Sequence, residues 1–474
     1  MHILVVSTYE LGHQPLMAAT AAAALANAGH TVTCTDLSVE RLDPGAVDAA
    51  DAIAFAVPMH TATRLALAAA RSARDHRPGV PICLYGLYAM AGAQALDAIG
   101  GGAALAGEYL DDLLRWAASP TAASETGTGV ATVPRVSLEP APAVQPRRDL
   151  LPALERYATL AIGDEKRLAG YVEASRGCTQ GCRHCPVPTV YRGRLRPVDP
   201  EVVLADVDEL VGMGARHITF GDPDFLCSPP HARRVIEAFA RRHEGISFDV
   251  TTKVSHILAN ADVWPSLVDA GLLFVTTAIE CLDDSILALL DKGHTAEDAG
   301  HAVSLLGSHG IDTRPSFLPF TPWTTAAGVA DILDFVLDHD MADVVEAVQY
   351  SLRLLIPPGS LMLDLAEMVP HLDAYDPERL TWDWHAADSR ADELCASIAE
   401  VAEAAAAAGE AAVTTFRTVY GLVAAAAGRD PARAESAGNG PRVARPHLTE
   451  AWFCCAEPTR GQLAPVELSP TQCT

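Results

Sequence analysis

Three cysteines within eight residues, Cys178, Cys182 and Cys185, concentrate more chemistry than any other short segment of this sequence. They sit in the loop Arg176-Gly-Cys-Thr-Gln-Gly-Cys-Arg-His-Cys-Pro186 with the spacing Cys-x-x-x-Cys-x-x-Cys. Three thiolates so spaced can wrap three corners of an iron–sulfur cubane, leaving the fourth iron open to a chelating ligand. A zinc site would need His184 as its fourth ligand, and that residue is placed awkwardly between two others. A second group lies near the C-terminus, where Cys454 and Cys455 are adjacent and Cys473 follows. Neighbouring cysteines make a strained mutual disulfide. They can, however, offer two soft donors to one atom, with Cys473 as a third.

The elements that must position these groups form two βα series. The first, over residues 1–117, has strands His2–Thr8, Thr31–Asp36, Ala52–Val57 and Pro81–Tyr85, with helices Pro15–Ala28 and Leu65–Arg74. Such alternation predicts a Rossmann-like parallel sheet. Ligands of such sheets sit at the carboxyl ends of the strands, here Tyr9-Glu-Leu-Gly-His13, Pro58-Met-His60 and Gly86-Leu-Tyr88. Residues 118–148, rich in Ser, Thr, Gly and Pro, read as a linker.

The second series, within 149–365, has six strands: Gly170–Ser175, His217–Phe220, Ser247–Thr252, Phe274–Ile279, Asp312–Phe317 and Val344–Tyr350. The α/β pattern predicts a partial (β/α)6 barrel, with the cysteine loop directly after its first strand. Residues 366–437 read as a mostly helical region dominated by one long helix, and 438–474 as a cysteine-containing tail.

Composition narrows the function classes. The formal charge is −26, from 34 basic and 60 acidic residues. No lysine- or arginine-rich run offers a counterion-release surface, which argues against nucleic acid as a partner. The apolar Met1–Ser7 run reads as a strand rather than a signal peptide, and no apolar stretch reaches membrane-spanning length. Eleven cysteines without an export leader do not read as a disulfide framework, so the expected address is cytoplasmic.

The cysteine loop on this fold resembles the radical S-adenosylmethionine (SAM) superfamily over roughly residues 165–360. The resemblance implies a [4Fe–4S] cluster on Cys178, Cys182 and Cys185. It also implies that SAM chelates the open iron and that one electron cleaves a carbon–sulfur bond. Phe220-Gly-Asp-Pro-Asp-Phe225 stands where the family sets backbone carbonyls against the SAM amino group. That makes Phe220, Gly221, Asp222 and Asp224 candidates, although the usual Gly-Gly-Glu is absent. Thr277-Ala-Ile-Glu280, followed by Asp291-Lys-Gly293, is similar to the Gly-Ile-Glu-Ser…Asn-Lys-Gly segment of cobalamin-type members. Glu280 would then bond SAM, with Cys281 where that pattern has serine. Lys253 and Arg314, near strand ends, are candidates to neutralise the SAM carboxylate, or solvated charges.

A Rossmann-like domain ahead of such a barrel resembles the cobalamin-binding radical SAM class. The Asp-x-His-x-x-Gly signature is missing, and His13 lies at the right strand end with different neighbours. Corrinoid binding and a domain that only covers the active site both stay open. Phe453-Cys-Cys-Ala-Glu-Pro458, with the opening Thr8-Tyr-Glu-Leu-Gly12, resembles the CUAEP/CCAEP-tail radical SAM (seleno)protein family. A similar architecture occurs in the radical SAM enzyme that forms the arsenic–carbon bond of arsinothricin, using SAM's 3-amino-3-carboxypropyl group.

These resemblances imply a transferase that moves a SAM-derived group to a small-molecule or metalloid acceptor, trivalent arsenic among them. Cys454, Cys455 and Cys473 would be its catalytic thiols and a flavodoxin or ferredoxin its reductant. The alternatives are a cobalamin-dependent methylase or another radical enzyme of secondary metabolism. A non-catalytic iron–sulfur or metalloid-sensing protein is the alternative from another class.

Overall fold

A computed structural model describes residues 1–120, 132–141, 143–438 and 444–450. The tail cysteines Cys454, Cys455 and Cys473 lie outside the described residues.

The first sheet comprises β1 (His2–Ser7), β2 (Thr31–Asp36), β3 (Ala52–Ala56), β4 (Ile82–Tyr85), β5 (Ala103–Gly107) and β6 (Val133–Ser137). All are parallel, in the order β2-β1-β3-β4-β5-β6. Helices Leu16–Asn27 and Leu110–Ala118 cover one face, and His60–His76 and Ala89–Ala98 the other. The near-continuous apolar runs of β1 and β3 follow from burial on both faces. β6 corrects the reading of 118–148 as a linker alone. It is an edge strand with Pro134 and a largely exposed surface, so it carries no apolar run to announce it.

The second sheet starts with an antiparallel pair, β7 (Thr159–Ile162) and β8 (Glu165–Val172). The short hairpin β9 (Ser175–Gly177) and β10 (Leu195–Pro197) then brackets the cysteine loop. The parallel curl continues through β11 (His217–Phe220), β12 (Ser247–Thr251), β13 (Leu272–Glu280) and β14 (Asp312–Phe317). This is the curled sheet of a partial barrel. The sixth strand expected at Val344–Tyr350 is not formed: a 3-10 turn occupies Ala347–Tyr350, and the one bridge of that position joins Phe320 to Arg353. A short buried apolar run does not by periodicity alone distinguish strand from turn.

The C-terminal region holds the hairpin β15 (Leu372–Asp376) and β16 (Thr381–Trp384), then helices Ser389–Ala408 and Ala412–Ala427. The single long helix expected there is therefore two. Gly409 adopts φ +62° and closes the first, a left-handed cap that glycine takes without a Cβ penalty. Finally β17 (His447–Leu448) returns antiparallel to β7. Among the described residues no helix is long and apolar enough to cross a membrane.

Arg148 ties the two sheets together. It is fully buried, with a bidentate pair to Asp206 (both 2.9 Å) and bonds to the carbonyls of Gln14 (3.0 Å) and Tyr171 (2.6 Å). Gln14 follows β1, and Tyr171 belongs to β8. One guanidinium thus fixes the strand ends of the first sheet over the mouth of the curl.

Candidate active site

Between the two sheets lies a cavity of about 400 Å³, lined by the ends of β1 and β8, the cysteine loop and the ends of β11 to β14. That volume is in the range of small-molecule sites. The chain reaches the loop through Gly177 at φ +76°, where a Cβ would lie 2.2 Å from the Arg194 carbonyl. Only glycine fits there. The loop then pins to the barrel: the Arg183 amide donates to the Leu290 carbonyl (2.9 Å), and its guanidinium caps Ala288 and Leu289.

Cys178 and Cys182 are buried, Cys185 is partly buried, and all three line the cavity. Lys253 donates to Cys182 Sγ at 3.4 Å and to Gln180 Oε1 at 3.1 Å. The buried Lys292 lies close enough for the Cys182 and Cys185 thiols to favour its charge. Two cations beside three cysteines suit thiolates holding an anionic cluster. The Nε2 of His184 is bonded to Glu280 Oε1 at 3.0 Å, which fixes its ring beside the cysteine loop.

Glu280 ends β13 at a bulge with φ +69°, a conformation costly for a residue with a Cβ. The kink holds its carboxylate between Lys292 (2.9 Å) and His184 (3.0 Å). Burial opposes its ionisation, yet Lys292 and His184 outweigh burial and hold it well below the usual carboxylate range. Glu280 is thus a fixed anion in the cavity wall.

The other sequence candidates divide. Phe220 packs against Phe225, Phe239 and Phe248 with ring centroids 5.2–5.8 Å apart, so its side chain is core. Gly221 is required by packing, because a Cβ there would meet the Tyr171 ring at 2.0 Å. Asp222 is buried and braces the approach to the cysteine loop, accepting from the Ala174 amide (2.9 Å) and Ser175 hydroxyl (2.5 Å). Burial pushes its carboxyl up to about 7. Asp224 accepts from Thr252 (2.7 Å) and pairs with His256 (2.6 Å). Arg314 lines the cavity, but its guanidinium bonds the carbonyls of Val344 and Pro446 and lies 5.7 Å from the Phe274 ring centroid. It anchors the segment bearing β17.

Sequence reasoning passed over Cys227. Its sulfur is held by the Thr179 amide (3.4 Å) and hydroxyl (3.1 Å), and its Sγ, the Cys178 Sγ and an Asp224 oxygen lie within 4.8 Å of one another. A fourth cysteine just beyond Asp224 was the available signal. Lys292 and the acid Glu173, just past β8, were also passed over as site residues.

The donor set fits a [4Fe–4S] cluster with SAM. The crevice at the end of β1 is covered: a Cβ on Gly12 would lie 2.6 Å from Glu450 Cβ. His60, at the end of β3, bonds the Arg379 carbonyl (2.8 Å). A corrinoid fits this crevice only if the 444–450 segment moves away.

Comparison with known proteins agrees with this geometry. Residues 172–336 match the Radical SAM superfamily profile. The anaerobic magnesium-protoporphyrin IX monomethyl ester cyclase of Rubrivivax gelatinosus is 25% identical over 203 residues, 41% of this chain and 35% of that protein. The chain spans less than half the length of the curated relatives it matches. Among solved structures, the cobalamin-dependent radical SAM enzyme OxsB with aqua-cobalamin superposes with a TM-score of 0.62 at 15% identity, covering 84% of this chain and 66% of that one. The radical SAM methyltransferase TsrM of Kitasatospora setae, with cobalamin and a [4Fe–4S] cluster, superposes with a TM-score of 0.59 at 17% identity, covering 80% and 84%. At those identities the shared property is the fold.

Proposed function

We propose, from the radical SAM domain at 172–336, that this chain is a radical SAM enzyme. In this reading it transfers a SAM-derived group to a small-molecule acceptor held between its two sheets. The observation that carries the reading is a cavity that brings the three cysteines, Lys253, Lys292 and Glu280 under the strand ends of the first sheet. Cys178, Cys182 and Cys185 would hold the cluster, which, when bound and reduced, would supply the electron for breaking a SAM carbon–sulfur bond. The chain's own residues do the rest. Lys253 and Lys292 place positive charge beside the cysteine loop, Glu280 offers a fixed acceptor to the polar end of SAM, and the Rossmann-like lid excludes water.

The transferred group and the acceptor are finer proposals. The 3-amino-3-carboxypropyl group is the one the tail suggests, with trivalent arsenic on Cys454, Cys455 and Cys473 as acceptor. Support comes from the last described residue. Glu450 lines the cavity and its Oε1 accepts from Tyr9 (2.7 Å). Cys454 follows four residues later, a covalent reach of at most about 14 Å. A methyl group transferred as in TsrM is the second reading, favoured by the shared fold.

Anaerobically reconstituted, reduced protein incubated with SAM tests these readings by the fragment released. Methylthioadenosine indicates aminocarboxypropyl chemistry, and S-adenosylhomocysteine indicates methyl transfer. A stable cluster with no SAM turnover refutes the enzyme reading and leaves an iron–sulfur sensor. Cys454→Ser and Cys455→Ser should leave SAM cleavage largely intact while uncoupling it from product; normal product formation removes the tail from the active site.

A further inference from the structure

Two carboxylates face this cavity with no ion pair among the described residues, and they come from different sheets. Glu10, at the end of β1, is 6% exposed; its Oε1 accepts from the Leu16 amide (3.1 Å), and its Oε2 has no partner. Glu173, just past β8, makes no hydrogen bond or ion pair among the described residues. The nearby cations are engaged elsewhere. Arg148 is paired with Asp206, and Arg176 with Glu108 (2.8 and 3.2 Å). His13, buried in the same wall, carries no charge to offer, because burial lowers its pKa to about 4. Its Nδ1 is also unpartnered, and its ring lies 4.8 Å from that of Tyr171.

Glu10 is buried and Glu173 half-buried, and ionised carboxylates withdrawn from water without partners are costly and respond by holding protons. Burial, reinforced by Glu173, pushes Glu10 up to about 8, and burial, reinforced by Asp222 and Glu108 against Arg176, pushes Glu173 up to about 7. The walls between them are aromatic: Tyr88, Tyr109, Tyr171 and Tyr191 line the same cavity. Carboxylates paired with tyrosine faces are the two groups that attract an organic cation, one by charge and the other by the ring quadrupole.

We propose that the acceptor half of the cavity binds a small organic molecule through its protonated amine, seated between Glu10 and Glu173 against the tyrosine walls. The proposal rests on the reading of the chain as a SAM-dependent transferase with a small-molecule acceptor, and between the acceptors raised above it favours an organic amine over arsenite at this end of the cavity. The ammonium supplies the hydrogen bonds that Glu10 Oε2 and Glu173 lack. Binding therefore returns both carboxylates to the ionised form and releases protons.

The test uses full-length reconstituted protein and three probes of one shape: phenethylammonium, phenethyl alcohol and 3-phenylpropionate. Calorimetric titration should show saturable millimolar or tighter binding of the amine and at least tenfold weaker binding of the other two. Glu10→Gln and Glu173→Gln should each weaken the amine ten- to hundredfold, the range expected for one charged hydrogen bond. Iron content reports that each variant is folded. Saturating SAM should leave amine binding in place. No saturable amine binding overturns the proposal, as does equal binding of the alcohol, or unchanged affinity in both variants. Displacement of the amine by SAM also overturns it, assigning the carboxylates to SAM's own cationic groups. SAM cleavage assayed on the same samples separates the outcomes. Cleavage without amine binding defeats this inference alone, whereas loss of cleavage defeats the transferase reading whatever the amine does.

Discussion

Lys292 and Glu280 are buried together, their side chains 4% and 8% exposed and their charges 2.9 Å apart. Glu280→Gln preserves shape and removes one charge, leaving Lys292 a buried cation beside His184. Breaking such a pair from one side costs about 3–5 kcal/mol. At about 2–4 °C per kcal/mol for a domain of this size, the barrel's unfolding temperature should fall by roughly 6–20 °C. Lys292→Met should also destabilise, by a smaller amount, because His184 remains to face Glu280. The double variant Glu280→Gln/Lys292→Met leaves neither charge stranded, and most of the loss should be recovered. That non-additivity, on the order of 3 kcal/mol, is the signature of direct coupling. Differential scanning calorimetry on cluster-free protein measures it without the thiolates' contribution. The double variant then serves a second purpose: with its fold restored, its SAM dissociation constant should still rise ten- to hundredfold, as loss of a charged hydrogen bond implies. A fall of less than about 2 °C in Glu280→Gln, or strict additivity, refutes the pairing argument. Unchanged SAM affinity in the double variant refutes the role of Glu280 toward SAM.

Reconstituted protein should hold about four irons per chain, and Cys178→Ala, Cys182→Ala or Cys185→Ala should abolish this; stoichiometric zinc without sulfide contradicts it. The cluster-free protein should lose thermal stability as pH rises from 6.5 to 8.5. Glu10, Glu173 and Asp222 are raised from 4.5, 4.5 and 3.8 to about 8, 7 and 7 by burial. Raised carboxyls stabilise fully below their unfolded values and lose that contribution as pH climbs through the folded ones, at up to about 1.4 kcal/mol per unit each. His13 and His60, lowered by burial to about 4, act in the opposite direction only below their unfolded value near 6.5, outside this window, but the Cys227 thiol, lowered to about 6 by the hydrogen bond from Cys178, opposes the loss within it, so the measurement is made on Cys227→Ser protein. A melting temperature that rises across it contradicts the assignment. Protein purified from cobalamin-supplied cells should carry no corrinoid with histidine ligation, since Glu450 covers the end of β1 beside His13; the absorption and EPR spectra of a histidine-ligated corrinoid decide against this.

Much of the architecture is legible in local pattern. The buried apolar runs of β1 and β3 and the helices between them declare parallel sheets, because a strand covered on both faces is apolar almost throughout. The cysteine loop declares its chemistry by spacing alone, since three thiolates in eight residues have few other uses. What local pattern could not supply is everything that depends on two distant segments meeting. Val344–Tyr350 is apolar enough for a strand, but whether a buried run pairs or turns depends on its neighbours, and here only the Phe320 to Arg353 bridge forms. β6 is invisible because an edge strand needs no apolar face. Arg314 has the composition of an anion binder, yet tertiary packing gives its donors to the carbonyls of Val344 and Pro446. The partners of Glu280 lie 96 and 12 residues away, at His184 and Lys292, and only the fold brings all three together. Glu10 and Glu173 are unremarkable acids in sequence; they become an unpaired couple because β1 and β8 end at the same cavity with Arg148 and Arg176 already engaged. Spacing along the chain determines which groups can share one cluster. Which charges are left without partners is decided only when two sheets close over a common space and water is excluded from it.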